Sequence, residues 1–404
     1  MKILVVPMEV PLPADSGGRI DVWRRLRLLH DDGHTLALLS WHNLARDGAV
    51  APQALAELAR VCPNCRLACI RRSAGESLRR LAHLAQLPWH VAARWVTLDR
   101  PATLAWARAF GPDVILLDGL YGVAAVRWLA GALGVPWVYR AHNVEHVYMR
   151  QQRARAVGWR ARLGLSANLV GLRRLEAATV REAAAVFDIS PDDAAFWRAQ
   201  GQARVHWLPT VVDAEFAGAM AAAAASPPAW DLAYFGNLNT PNNVEAVAWL
   251  VTQVLPRLPQ PGLRVALAGS RPNETVRRLA ATDTRITLLV DPPSVPAVAG
   301  ASRVLVNPLQ AGSGVNLKSV EMLFGDAALV STPAGVRGLP SDAAACFAVH
   351  ADAAGFAAAV ASALQAPPAV ADARRIAARA PYAPAAAAAL LRRTLRPLAD
   401  GAAP

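Results

Sequence analysis

Lysine is almost missing from this chain. Of 42 basic residues only Lys2 and Lys318 are lysine; the others are arginine. No Asp-x-Asp pair occurs, so a carboxylate clamp for a metal-bound diphosphate is not evident. No G-x-G-x-x-G run occurs either, which argues against a dinucleotide oxidoreductase. No stretch reaches the roughly 18 uncharged apolar residues needed to span a bilayer. The nearest, 114–139, contains Asp118 and Arg127. The opening "MKILVV" is interrupted by Pro7 and Glu9 and lacks a secretory pattern. These absences imply a cytoplasmic protein, either soluble or peripheral on the inner face of the membrane. There are four cysteines; three fall in "VCPNCRLAC" and Cys346 stands apart. No second pair completes a zinc tetrad, so reduced thiols and no metal are expected.

What is present is ample apolar material. The 404 residues are 54% hydrophobic and 18% charged, enough for two domains with full cores. The net charge of +12 is uneven. The first 210 residues carry 27 Lys/Arg against 17 Asp/Glu, a net +10, and the rest carry 15 against 13. The first half should therefore attract phosphates or an anionic membrane surface rather than nucleic acid. The segment 150–175 concentrates this charge in Arg150, Arg153, Arg155, Arg160, Arg162, Arg173 and Arg174, interleaved with Trp159, Leu163, Leu165, Leu169, Val170, Leu172 and Leu175. A basic, partly apolar helix of this kind can lie in a membrane interface; a solvated helix packed on its own domain is the plainer alternative.

Hydrophobic patterning alternates between strands and helices. "KILVV", "GHTLALLSW", "PDVILLDG" (112–119) and "VPWVYRAHN" (135–143) read as buried strands, and Ile20, Trp23, Leu26 and Leu29 recur at helical spacing. A second series begins after "SPPAW": strands at "DLAYFGNL", "LRVALAGS", "RITLLV", "SRVLVNPL" and "AALVST". Between them lie helices at "PNNVEAVAWLVTQVLPRL", "NETVRRLAA" and "NLKSVEMLFG", the last stopped by Gly325. Strands separated by helices predict two parallel α/β domains joined near 210–230. A last helix over about 383–398 is expected to cross back onto the first domain.

The lysine in "GSGVNLKSVEM" (312–322) is the informative one. The turn follows a buried strand, at the edge where open α/β sheets bind ligands. Gly312 and Gly314 allow a tight bend and close approach to backbone amides. Lys318 at a helix start opposes the helix dipole unless an anion lies in front of it, and a phosphate resolves that conflict. Glu321, three residues on, can accept two hydrogen bonds from a ribose diol; a local Lys318–Glu321 surface pair is the alternative. In the other domain, "PADSGGRI" places Gly17 and Gly18 between the first strand and helix, where their amides can meet the same diphosphate; a plain turn is the alternative. "YRAHNVEH" puts His142 and Asn143 at a strand end, with Glu145 and His146 as adjacent acid–base candidates; a structural histidine is the alternative.

Together these segments resemble the retaining GT-B glycosyltransferases of the large family 4, group 1 type. The similarity is carried by "YFGNLNTPNNVEAVAWL", "VALAGSRP", "NPLQAGSGVNLKSVEML" and "LVSTPAGVRGL" over 228–340, and by "MEVPLPADSGGRIDVWRRLRLL", "RAHNVE" and "LPTVVD". It implies two Rossmann-like domains facing across a cleft: 1–210 for the acceptor, 228–382 for the nucleotide diphosphate sugar, and 383–404 as the returning helix. It also implies metal-free hexosyl transfer with retention, to a lipid-linked or polysaccharide acceptor, with the nucleotide sugar as co-substrate and no cofactor. Glu321 matches the second glutamate of the family's Glu-x7-Glu motif; Ser313 stands at the first. Asn237 and Asn242 occupy places where many relatives have an Arg and a Lys, which leaves Lys318 as the charged clamp. The amides from Gly314 through Val315 and Asn316 to Leu317 would line the sugar, and His142 matches the family histidine beside the transferred sugar. Two rivals remain: a GT-B nucleotide-sugar 2-epimerase, and a non-catalytic nucleotide-sugar-binding protein.

Overall fold

A computed structural model describes residues 1–44, 48–71, 73–312, 314–367 and 370–401. The chain divides into two compact units, Met1–Pro209 with Ala387–Pro404, and Thr210–Ala386. The last helix, Pro384–Ala399, therefore starts in the second unit and ends in the first.

The first unit is built on a parallel sheet of seven strands among the described residues: β1 (Lys2–Pro7), β2 (Thr35–Asn43), β3 (Asn64–Ile70), β4 (Val114–Asp118), β5 (Trp137–Ala141), β6 (Val186–Asp188) and β7 (Val205–Trp207). Their order is β3-β2-β1-β4-β5-β6-β7. β4 and β5 are buried at every position, because helices cover both faces of a parallel sheet and leave no polar side. This core joins Leu4, Val6, Leu39, Trp41, Ile115, Leu117, Val126, Tyr139 and Trp197. β3, β6 and β7 escape the sequence pattern: β3 carries no fully buried residue before Ile70, and the other two span three residues each.

The second unit holds β8 (Trp230–Phe235), β9 (Val265–Gly269), β10 (Ile286–Val290), β11 (Ser302–Asn307), β12 (Ala328–Ser331) and β13 (Ala348–Val349). Its described strands form a parallel sheet in the order β10-β9-β8-β11-β12-β13. Leu232, Tyr234, Leu267, Val304, Val306 and Phe356 are at the centre of its core.

Both sheets reverse their winding direction once, between β1 and β4 in the first and between β8 and β11 in the second. At such a reversal the connecting loops part at the carboxyl ends of the strands and leave room for a ligand. The loops concerned are those after Pro7, Asp118, Phe235 and Asn307.

Three helices differ from the sequence reading. "NLKSVEMLFG" is helical only over Leu317–Met322 and continues as turns to Gly325. The helix opening at Pro241 is regular to Trp249, then widens into a π-helical turn over Leu250–Val254. The basic segment is three helices rather than one: Glu145–Arg155, Trp159–Leu169 and Leu172–Glu182. Gly158 and Gly171 break it, each in the left-handed region that glycine tolerates (φ +85° and +68°).

At the reversal of the second sheet, β8 and β9 end in contact. A Cβ on Gly269 would lie 1.7 Å from the Gly236 carbonyl oxygen. Gly269→Ala should therefore destabilise the protein by about 3 kcal/mol or more in urea titration, as overpacking against rigid backbone does. A wild-type unfolding midpoint would contradict this packing.

Candidate active site

In the second unit, the loop after β8 and the turn after β11 bring Tyr234, Gly236, Asn243 and Lys318 together. Lys318 lies in the first turn of the Leu317–Met322 helix and is 8% exposed. Its Nζ sits 3.6 Å from the centroid of the Tyr234 ring and donates to Asn243 Oδ1 at 3.4 Å. Asn243 is itself fixed: its Oδ1 accepts from Tyr234 Oη at 2.8 Å, and its Nδ2 donates to the Asn237 carbonyl at 2.8 Å. Gly236 allows this arrangement. A Cβ there would fall 3.1 Å from Asn243 Nδ2 and 3.3 Å from Lys318 Nζ.

Burial pushes the Lys318 ammonium well below the usual lysine range, and the neighbouring Glu321 only partly offsets that. Both residues are buried, so the alternative of an exposed surface pair does not hold. The ammonium is held by a ring face and an amide oxygen rather than by a carboxylate. Such a site gains from an incoming anion, because the ligand supplies the countercharge that the protein withholds.

The helix start is anchored from the side. Asn316 caps it by accepting from Ser319 N at 3.3 Å. Asn307, at the end of β11, donates to Asn316 Oδ1 at 3.1 Å and to Ser319 Oγ at 2.7 Å. Ser319 Oγ also donates to the Gly335 carbonyl at 2.7 Å. Arg337 ties down the turn through the Gly312 carbonyl at 2.7 Å. Gly314 is in the left-handed region at φ +70°, where a side chain would be strained. Val315 and Leu317 are half-buried beside it.

Two residues of the sequence reading change place. Asn242 is exposed, and its neighbour Asn243 is the asparagine that reaches Lys318. Helix phase decides this: one residue along a helix turns the side chain by about 100°. Asn237 contributes its carbonyl to Asn243, and its side chain accepts from Asn239 N at 3.0 Å. Ser313 lies outside the described residues.

In the first unit, His142 follows β5 and is buried. Its Nε2 lies 2.7 Å from Asp118 Oδ1, and its Nδ1 4.0 Å from Asp21 Oδ2. Asp118 ends β4, and its other oxygen accepts from Arg25 Nη2 at 2.6 Å and Nε at 2.9 Å. Arg25 also binds Asp21 at 2.9 Å, and Asp21 takes Arg140 Nη2 at 3.2 Å. Burial alone would raise the Asp118 carboxyl, but Arg25 and His142 outweigh it and hold it below the usual range. An ionised Asp118 can only accept, so it fixes the imidazole proton on Nε2 and leaves Nδ1 as the second polar atom. Sequence reasoning missed this network. Its signal was Asp118 itself, which ends the "VILLD" strand just as His142 follows the next.

Gly17 and Gly18 open the helix Gly17–Asp31, exposed, with nothing within 4 Å of where a Cβ would stand. Asn143 is half-buried. Glu145 and His146 are buried and share one carboxylate. Glu176 accepts from Glu145 N at 2.6 Å, His146 N at 3.0 Å and His146 Nδ1 at 2.6 Å, so it caps the helix Glu145–Arg155 from a neighbouring helix. Burial, then Glu176, pushes the Glu145 carboxyl up to about 8.

Residues 230–366 match the family model described as "Glycosyl transferases group 1". That stretch is therefore similar to group 1 glycosyltransferases, and the two doubly wound sheets match the GT-B fold of solved neighbours. The chain is 23% identical over 358 residues to "Uncharacterized 44.6 kDa protein in cps region" from Klebsiella pneumoniae, covering 83% of this chain and 84% of that one. Its fold is similar to that of sucrose-phosphate synthase from Thermosynechococcus elongatus: TM-score 0.66, 17% identity, 99% of this chain and 100% of the other. It is also similar to Anabaena HepE, solved with UDP and glucose: TM-score 0.62, 14% identity, 98% and 99% covered.

Asp118→Asn leaves Arg25 and His142 without their shared carboxylate. It should lower the unfolding free energy by about 3–5 kcal/mol in denaturant titration, as breaking a buried ion pair does. Unchanged stability would mean that Asp21 alone suffices for Arg25 and His142.

Proposed function

We propose that the protein transfers a hexose from a nucleotide diphosphate sugar to a cell-surface polysaccharide or a lipid-linked oligosaccharide, with retention and without a metal. The observation that carries this reading is Lys318: a buried amine at the sheet reversal, in direct contact with a ring face and an amide oxygen, with its burial only partly offset by Glu321. Glu321 would take the ribose hydroxyls, and the backbone from Gly314 to Leu317 would meet the donor sugar. The UDP held by Anabaena HepE favours a uridine donor as the first to test. The relative from a cps region favours a surface polysaccharide as the product, made on the cytoplasmic side.

In the proposed reaction the bond between the anomeric carbon and the β-phosphate oxygen breaks, and its electron pair leaves with the nucleoside diphosphate. Lys318 and the loop amides stabilise that charge as it develops. The acceptor hydroxyl oxygen bonds to the anomeric carbon from the same face and passes its proton to the departing phosphate. His142, its ring oriented by Asp118, is proposed to hold the donor sugar through a hydroxyl.

The test is a panel of UDP-, GDP- and dTDP-sugars read by thermal shift and by product formation. Lys318→Ala should lose at least tenfold in diphosphate affinity and nearly all transfer. Glu321→Gln should weaken nucleoside binding, and His142→Ala should lower turnover while the free nucleotide still binds. Transfer unaffected by EDTA is expected. Wild-type donor affinity in Lys318→Ala would remove the clamp. Sugar isomerised without acceptor, or donor bound without turnover, would favour the epimerase or the binding protein.

A further inference from the structure

Among the described residues no helix is long and apolar enough to cross a membrane. The hairpin formed by the helices Glu145–Arg155 and Trp159–Leu169 nevertheless presents a surface that water alone does not explain. All seven arginines of 150–174 are exposed, and no Asp or Glu lies between them in the chain. None of the seven is in an ion pair among the described residues. Arg150, Arg153 and Arg162, with Ala154, line an open pocket of about 310 Å³. Arg162 is turned into place by its Nε, which donates to the Ala156 carbonyl at 3.0 Å.

Beside this pocket the chain turns apolar groups outward. Val157 is 92% exposed, Trp159 70% and Leu163 63%, and Arg160 stacks on the Trp159 ring at 5.3 Å. Leu172 and Leu175, which the sequence placed in the same apolar set, are buried in the domain core, and Leu165 and Leu169 pack against it. The outward set is therefore small: Val157, Trp159 and Leu163 lie toward the hairpin tip, and Val170, 44% exposed, stands past the far end of the second helix. A tryptophan and two aliphatic side chains flanked by unpaired arginines match the interface of an anionic bilayer: guanidinium groups to phosphates, apolar groups to the acyl boundary.

We propose that this hairpin tip docks the protein on an anionic membrane surface, with lipid phosphates seated in the pocket of Arg150, Arg153 and Arg162 and with Trp159 and Leu163 entering the interface. The inference does not depend on the donor reading and explains the charge imbalance of the first unit. Each arginine near an anionic surface contributes a factor of about five in binding, screened over a Debye length of about 8 Å at physiological salt.

The experiment is co-sedimentation of the full chain with phosphatidylcholine vesicles, with or without phosphatidylglycerol. Binding to the anionic vesicles alone is expected, falling with added salt. R150Q/R153Q/R162Q should reduce it about a hundredfold at low salt with an unchanged circular dichroism spectrum. W159S/L163S should retain low-salt binding and make it more salt-sensitive. Equal binding to both vesicle types, or no loss in the triple variant, would overturn the proposal. So would vesicle binding absent while inorganic pyrophosphate binds through the same three arginines, since the pocket would then serve a soluble anion.

Discussion

One buried ammonium sets the requirements for the second unit. Lys318 sits on the Tyr234 ring with an asparagine oxygen as its partner, and burial depresses its pKa. Holding a lysine this way costs free energy, because the charged form loses its hydration and the neighbouring Glu321 offsets that only in part. Strongly perturbed buried groups cluster at functional sites, and structural networks shift them too. A point charge on a flexible stem suits that task better than a planar guanidinium, which brings a rigid fork of donors of its own. In a chain that uses arginine almost everywhere, a lysine at this position is a chemical choice.

The surrounding structure holds that lysine still. Gly236 and Gly269 let two strand ends touch so that Asn243 and Tyr234 reach the ammonium. Asn307, Asn316 and Ser319 bind the helix start to β11. The first unit uses the same topological position differently. Its sheet reversal is filled by Arg25, Asp21, Asp118 and Arg140, a compensated network that orients His142. The four charges at the first reversal compensate one another, whereas Lys318 at the second is held by a ring face and an amide oxygen.

Much of this was legible in the residues. Long apolar strands such as "VILLD" and "VALAG" and the glycine turn before Lys318 placed two parallel sheets and one ligand edge, because buried strands and glycine turns are local signals. What stayed hidden depended on contacts distant in sequence. Asn243 rather than Asn242 was decided by helix phase, and the Arg25–Asp118 pair joins residues far apart in the chain. Glu145 and His146 were named from their adjacency alone; Glu176, thirty or so positions away, accepts from both backbone amides and from His146 Nδ1. The basic segment read as one helix, because the breaking effect of Gly158 and Gly171 appears only in their backbone angles.

The account turns on whether a diphosphate supplies the missing countercharge of Lys318, and proton uptake reports that directly. In the free protein the ammonium pKa is lowered by burial. A bound diphosphate raises it, so binding takes up a proton at any pH between the two values and weakens as pH rises through the lower one. Isothermal titration of the nucleoside diphosphate over a pH series, in buffers of different ionisation enthalpy, measures this coupling. Net proton uptake that disappears in Lys318→Ala is the expected result. Equal uptake in wild type and variant, or affinity independent of pH, would contradict it.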